Sequence, residues 1–322
     1  MSELTQDEII IRKGIVHILD AELGYPVFSE ELLELSPDTN DFFRGLLYKI
    51  MSGDEMKKCF FDESGEQSEE MPQVDVYALV KAFSEESMVE DSKKLAQALY
   101  DIMNANVTIP SADFAVVTFQ VHSMMYLGLL KMNYKESYVH MTQNNEEGRN
   151  INQIIRYRSM LPSATTKLSE AVIIDLTDYS VQIIEKKYDI NGSKVNYLSE
   201  LYLHCHAAMS SKTKLDIVVN AVKQVNNKHY SEEPVKQLEA KRIIKEEFDK
   251  KMEKYHMETA EVTPQSERTT KKFEKQYLKT DTGIEINIPM EQYQDADQVE
   301  FITNPDGTIS VLIKNINKIT TR

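Results

Sequence analysis

Two short constellations in this chain carry residue types that do chemistry. The first is His204-Cys205-His206, two imidazoles around a thiol, which are donors of the zinc-site kind. On a helix, residues two apart project roughly 200° from each other, so the imidazoles would not share an ion. On a strand they would share a face. Leu201, Tyr202, Leu203, Ala207 and Ala208 favour a helix, and no second Cys/His pair follows at zinc-site spacing. The expectation is two ordinary histidines flanking a buried cysteine, with no metal or other cofactor implied.

The second constellation is Asp175, followed by Glu185 and Lys187. An acidic residue ending one strand, with Glu-x-Lys on the next, is the arrangement of many metal-dependent nucleases. Two carboxylates hold a divalent cation, and the lysine sits near the attacking water. Glu185 and Lys187 share a face if both lie on one strand. The competing reading is a solvated strand edge bearing Glu185, Lys186 and Lys187, a common guard against edge pairing. The sequence contains no Gly-x-Ser-x-Gly, Gly-x-Gly-x-x-Gly or Walker A string, and its ten glycines make a phosphate-cradling loop improbable.

A third set consists of lysines and one arginine, which would bind phosphate by charge alone. Lys212 and Lys214 follow Ser210-Ser211. Lys241, Arg242 and Lys245 fall within about a turn of a long helical pattern. Lys271, Lys272, Lys275 and Lys279 complete the set, and on a helix Lys271, Lys275 and Lys279 would form a stripe. Interleaved Glu239, Glu246, Glu247 and Glu253 offer i,i+4 partners, the mark of a solvated helix.

These cations sit in the one segment with a positive balance. Residues 1–110 carry 9 Lys+Arg against 23 Asp+Glu, a net of −14, within a chain total of −15. Residues 210–280 carry 16 against 12, a net of +4. The two ends should therefore meet different partners. A sequence pI near 5.0 argues against a protein that coats its whole surface in DNA. The apolar runs fall short of the roughly 20 residues that span a bilayer. The acidic Met1–Ile11 lacks the basic region of a signal peptide. Cys59 and Cys205 alone imply no disulfide framework. A cytoplasmic protein is expected.

The elements that must position these residues follow from pattern. Ile9 to Leu19 is rich in β-branched residues and reads as a strand. Asp38 or Asn40 is expected to cap a helix through Phe42, Phe43, Leu46, Leu47 and Ile50. Cys59-Phe60-Phe61 is strand-like, and Val76–Phe83 and Lys93–Met103 read as helices. Phe114–His122 and Met125–Tyr134 form a hairpin buried on at least one face. Asn152–Ser159 reads as a short helix. Ala171–Leu176 and Val181–Tyr188 make a second hairpin. Tyr197 to about Met257 reads as helical, with Val235, Leu238, Ile244, Phe248, Met252 and Tyr255 on one stripe. Ser266–Lys279 reads as one more helix. Strands return at Gly283–Pro289, Val299–Ile302 and Ile309–Ile316, with a turn at Asn304–Gly307. The fold class is α+β: a mixed N-terminal half with β-hairpins, a helical middle and a small C-terminal β-hairpin. The expected domains are 1–195 and 196–322.

Particular strings, in their order, resemble the bacterial 37-kDa nucleoid-associated protein family (YejK/NdpA-like proteins). They are Ile11-Arg12-Lys13-Gly14-Ile15-Val16-His17-Ile18-Leu19-Asp20, the Phe114–Tyr134 double run, Glu170-Ala171-Val172-Ile173-Ile174-Asp175-Leu176-Thr177, Tyr197-Leu198, and Gly283-Ile284-Glu285-Ile286-Asn287-Ile288 with the Asn304–Gly307 hairpin. The resemblance covers essentially the whole chain. It implies association with the bacterial chromosome in the cytoplasm and supplies no catalytic residues. His204-Cys205-His206 is not part of it. The expected function is non-enzymatic. The basic segments after residue 210 would make weak, sequence-independent contact with DNA, and the acidic first third would contact proteins. DNA-topology enzymes or other nucleoid components are the expected partners, and the long helix and exposed strands suit a homodimer. The alternatives are an acidic adaptor without DNA contact and the Asp175/Glu185/Lys187 nuclease.

Overall fold

The computed structural model describes residues 4–60, 75–231, 237–257, 259–260, 270–271, 274–293, 295 and 297–318. The side chains of 22, 222–231, 237–244 and 303 are outside that set. The chain divides into two compact units, Met1–Met209 and Ser210–Arg322.

The first unit is built on a seven-stranded antiparallel sheet in the order β1-β3-β4-β7-β8-β2-β11. Its members are β1 (Ile9–Leu19), β2 (Lys57–Phe60), β3 (Ala112–Val121), β4 (Met124–Asn133), β7 (Ala171–Asp175), β8 (Val181–Ile184) and β11 (His206–Ala207). Helix α1 (Pro37–Met51) covers one face, and α2 (Val76–Ala82) and α3 (Met88–Ala105) cover the other. That double cover is why β3 is apolar at nearly every position. Phe114 and Val116 face α3, while Ala115, Val117 and Phe119 face α1.

Strand β1 changes face midway. The pairing register with β3 shifts between Ile11 and Lys13, a bulge that reverses the alternation. Ile9 and Ile11 pack with α1, but Ile15 and Leu19 pack with α3. His17 shares the second face and is carried into the core against α3. The cap of α1 is Ser36, whose Oγ accepts the Thr39 N–H at 3.2 Å, rather than Asp38 or Asn40. Pro37 supplies the first helical position, which moves the start upstream. Gly45 is required on α1, because a Cβ there would lie 2.5 Å from the Ala164 carbonyl oxygen.

Two sequence expectations fail in this unit. Asn152–Ser159 is not a helix but most of β6 (Asn150–Met160), which pairs with β5 (Lys135–Asn144) as a two-stranded ribbon. Asn145 and Gly148 close the ribbon's turn, with Gly148 at φ +73°. Asn191-Gly192, both at positive φ, joins the short strands β9 (Tyr188–Ile190) and β10 (Ser193–Val195). Residues 197–209 do not begin the helical region. Leu198–Tyr202 is a π-helical turn, and His206–Ala207 joins the sheet beside β2. Tyr197, Leu198, Tyr202, Leu203 and Cys205 are buried in the core of the first unit, which runs to Met209.

The second unit holds α4 (Ser211–Ser231) and α5 (Gln237–Lys254), then hairpins β12–β13 (Lys275–Lys279, Glu285–Pro289) and β14–β15 (Val299–Thr303, Ile309–Ile313). Phe248 and Met252 of the expected stripe pack with Ile217, Val218, Ala221 and Met257. Tyr255 is 42% exposed, and Val235 is outside the described residues. The expected helix 266–279 ends as strand β12 from Lys275 onward, because its last residues pair with Glu285–Pro289. Among the described residues no helix is long and apolar enough to cross a membrane.

Candidate nucleic-acid interface

The nuclease constellation is taken apart by the sheet register. Ala171 pairs with Ile184 and Ile174 with Val181, so Asp175 sits at the turn end of the β7–β8 hairpin and Glu185 at the other. The run from Glu170 to Asp175 spans about 17 Å of strand. Strand β8 ends at Ile184, so Glu185 and Lys187 share no strand face. The Glu185 side chain is fully buried, 3.2 Å from Lys57 Nζ, and accepts the Ser199 N–H at 3.0 Å and the Ser199 hydroxyl. Lys187 is exposed, and Asp175 caps its own turn by accepting the Thr177 N–H at 2.7 Å. These groups cannot hold one cation.

His204 and His206 are exposed and Cys205 is buried between them. A hydrogen bond with Cys59, then burial, push the Cys205 thiol far above its ordinary range. A thiol held neutral is neither metal ligand nor nucleophile. Among the described residues no group of three His, Cys, Asp or Glu is placed to hold a metal. Native protein should therefore react slowly with an aromatic disulfide reagent, releasing two equivalents only in denaturant. A fast equivalent in native protein would contradict the buried pair.

A polar cluster lies at the end of β4 and the start of β7. Lys131 and Glu170 side chains are 1% and 0% exposed and lie 3.7 Å apart. Glu170 accepts the Tyr197 hydroxyl at 2.6 Å, the Tyr188 hydroxyl at 2.9 Å and the Asn133 amide. Lys131 donates to the Pro110 carbonyl at 3.0 Å and to Asn133. Burial pushes Lys131 down to about 8 against the opposing pull of Glu170. Burial, and then the negative Glu170, raise the Tyr188 and Tyr197 hydroxyls above their ordinary range. The two charged members of the cluster are closed to solvent, while Asn133 and Tyr188 are half-buried. The cluster joins β4, β7 and the chain at Tyr197 into one body.

An open cleft with two lysines on its lining is found in the second unit. Ser210 caps α4, its Oγ accepting the Thr213 N–H at 3.1 Å. That places exposed Lys212 and half-buried Lys214 at the positive end of the helix dipole. Between α4 and α5 lies a cleft of about 370 Å³ lined by Ile217, Asn220, Ala221, Lys251, Lys254 and Tyr255. Lys254 Nζ lies 5.7 Å from the Tyr255 ring centroid. Lys245 and Lys250 are exposed on α5. A phenol ring, an amide and two ammonium groups around an open cleft suit a phosphate or a base face.

The sequence-derived cations divide accordingly. Lys245 lies on α5, the helix that supplies Lys251 and Lys254 to the cleft. Lys241 and Arg242 are on the same helix, with side chains outside the described residues. Lys272 is outside the described residues, and Lys271 is exposed. Lys275 and Lys279 alternate with exposed Tyr277 on one face of β12, and Lys279 pairs with Glu285 at 3.0 Å. The expected helical stripe of Lys271, Lys275 and Lys279 is therefore broken. Lys251 and Lys254 escaped the sequence reading. Their signal was Lys250-Lys251-x-x-Lys254 ahead of Tyr255, masked by Glu253 and Asp249.

A family model described as nucleoid-associated protein YejK matches residues 15–253 and 235–320. No curated protein matches the chain.

Proposed function

The chain belongs to the nucleoid-associated protein YejK family, and from that membership we propose a non-enzymatic protein of the cytoplasmic nucleoid that contacts DNA through its second unit. The observation that carries this reading is the cleft between α4 and α5, edged by Lys251 and Lys254, within the only positively balanced segment of a −15 chain. Contact of this kind is with phosphates and carries no sequence information. The separation of Asp175 from Glu185 speaks against the nuclease.

The test is a gel shift with full-length protein over a salt series. About three phosphate contacts give a log–log slope near −2.7, so affinity should fall roughly forty-fold between about 50 and 200 mM salt. Lys245→Glu, Lys251→Glu and Lys254→Glu together should flatten that slope and weaken binding. Binding indifferent to salt, or unchanged in the triple variant, would reject the interface.

The first third supports a second contact, with protein. Glu30, Glu31, Glu34, Asp38 and Asp41 are exposed. Among and just before them stand exposed Leu23, Tyr25 at 63% and Leu32. Carboxylates around apolar anchors suit a basic protein surface and repel DNA. DNA-topology enzymes and other nucleoid components present such surfaces. An adaptor that reaches the chromosome only through this face is the alternative, and the absence of a gel shift with the protein alone would favour it. A homodimer belongs to the same proposal.

A further inference from the structure

We propose that the β5–β6 ribbon is a self-association arm, and that its one uncharged face meets the same face of a second copy. This rests on the homodimer reading and names its surface. Strands β5 and β6 pair with each other and with no other strand among the described residues. At 10 and 11 residues they make a ribbon about 34 Å long. A lone two-stranded ribbon is marginal in water, and a third or fourth strand or an apolar cover stabilises it.

The register sorts its side chains. Val139 opposes Ile155, Met141 opposes Gln153, Gln143 opposes Ile151 and Ser137 opposes Tyr157. Opposed residues share a face, so Val139, Met141, Ile151, Ile155 and Tyr157 form one apolar strip, completed only by Ser and Gln. Met141, Ile151 and Tyr157 are 43%, 38% and 41% exposed. From 137 to 143 and 151 to 157 this face has no charged residue. Lys135 and Arg158 stand at the ribbon's base, outside this stretch; Glu136 pairs with Arg156 on the other face beside Tyr138, and Glu147 pairs with Arg149 at the tip.

Charge selects the occupant. DNA needs cations, and a basic protein needs carboxylates; the apolar face offers neither. A second copy brings a −15 charge of its own, so two copies repel unless an uncharged face meets its equal. A two-fold contact juxtaposes like with like, and this face is self-complementary in that respect. Two ribbons stacked about 10 Å apart make a four-stranded, two-layer sandwich. Each face covers about 340 Å² in plan, below the ~800 Å² per partner of a standard interface, so the dimer is weak and dissociates on dilution.

Sedimentation equilibrium of the full chain across the micromolar range reads this directly. Wild type should move from monomer to dimer with concentration. Met141→Glu and Ile151→Glu, both at exposed positions, should stay monomeric, and Ile154→Glu, 76% exposed on the opposite face, should dimerise as wild type does. A wild type that is monomeric throughout overturns both the dimer and its surface. A dimer that survives Met141→Glu and Ile151→Glu, or that Ile154→Glu also abolishes, overturns the surface alone.

Discussion

Replacing Glu170 with Ala should destabilise the first unit by about 3–5 kcal/mol. The substitution strands Lys131, whose side chain is 1% exposed, without its carboxylate 3.7 Å away. It also removes the acceptor of the Tyr188 and Tyr197 hydroxyls and of the Asn133 amide. Each orphaned donor adds a desolvation penalty of about 1–3 kcal/mol, offset in part where water enters. For a unit of this size the expected fall in Tm is about 10 °C. The protein has no tryptophan, so far-UV circular dichroism in urea is the natural readout. Removing both charges should hurt less than removing one. Lys131→Met with Glu170→Leu should recover a large part of the loss, because no buried charge is left unpaired. A single-variant loss below about 1 kcal/mol would mean that water reaches the pair. A double variant as unstable as Glu170→Ala would mean that the tyrosine hydroxyls, not the charge, carry the cost.

That cluster shows how far the residues alone could lead. Glu170 and Tyr197 both stand in strings that pointed to the family, yet nothing local says that they touch. Twenty-seven residues separate them, and β8 to β10 must fold back before the hydroxyl meets the carboxylate. What could be read was whatever declares itself within one element. Strand β1, the β3–β4 hairpin and the β14–β15 turn carry dense β-formers bounded by turn residues. Ribbon β5–β6 does not, since only one of its faces is apolar. Ile151, Ile154 and Ile155 then fall at helical spacing, although the strand strip is Ile151, Ile155 and Tyr157. The catalytic suggestion failed on the same scale. Glu-x-Lys shares a face only while the strand continues, and β8 stops at Ile184, three residues short of Lys187.

The cationic residues show the opposite lesson. Composition marked 210–280 as the positively balanced segment, but not the residues that line the cleft within it. Lys251 and Lys254 gain their place from the packing of α4 on α5 through Ala221, Phe248 and Met252. Lys275 and Lys279 lost theirs when the chain chose to pair as β12 with Glu285–Pro289. Charge counts survive folding unchanged, whereas helical stripes last only as long as the helix.

Acidification should weaken the fold through His17 in a defined window. The bulge in β1 carries this histidine into the core, fully buried, edge-on to Phe28 at 5.4 Å. Its Nδ1 accepts the Ser29 N–H at 3.1 Å, so the proton of the neutral ring sits on Nε2 and is donated to Ser92 Oγ at 2.9 Å. The serine passes its own proton to the Val89 carbonyl at 2.8 Å. Neither ring nitrogen has room for a further role, and the site is satisfied only in the neutral state. Burial, and then the positive Lys93, lower the His17 pKa from 6.5 to about 4. Above pH 6.5 both folded and unfolded chains hold a neutral ring, and His17 gives no pH dependence. Between about 6.5 and about 4 the unfolded chain binds a proton that the folded chain refuses, so stability falls as pH falls. Below about 4 both forms are protonated and the slope ends. The full loss is about 3 kcal/mol. Carboxylates also titrate at the acid end of this range, but they do so equally in a His17→Gln variant. The difference between the two urea-stability profiles should therefore grow from pH 6.5 downward and level off near 4. Parallel profiles would show that the imidazole takes up its proton inside the fold, which requires Ser29 N–H to give up its acceptor and β1 to open at that point.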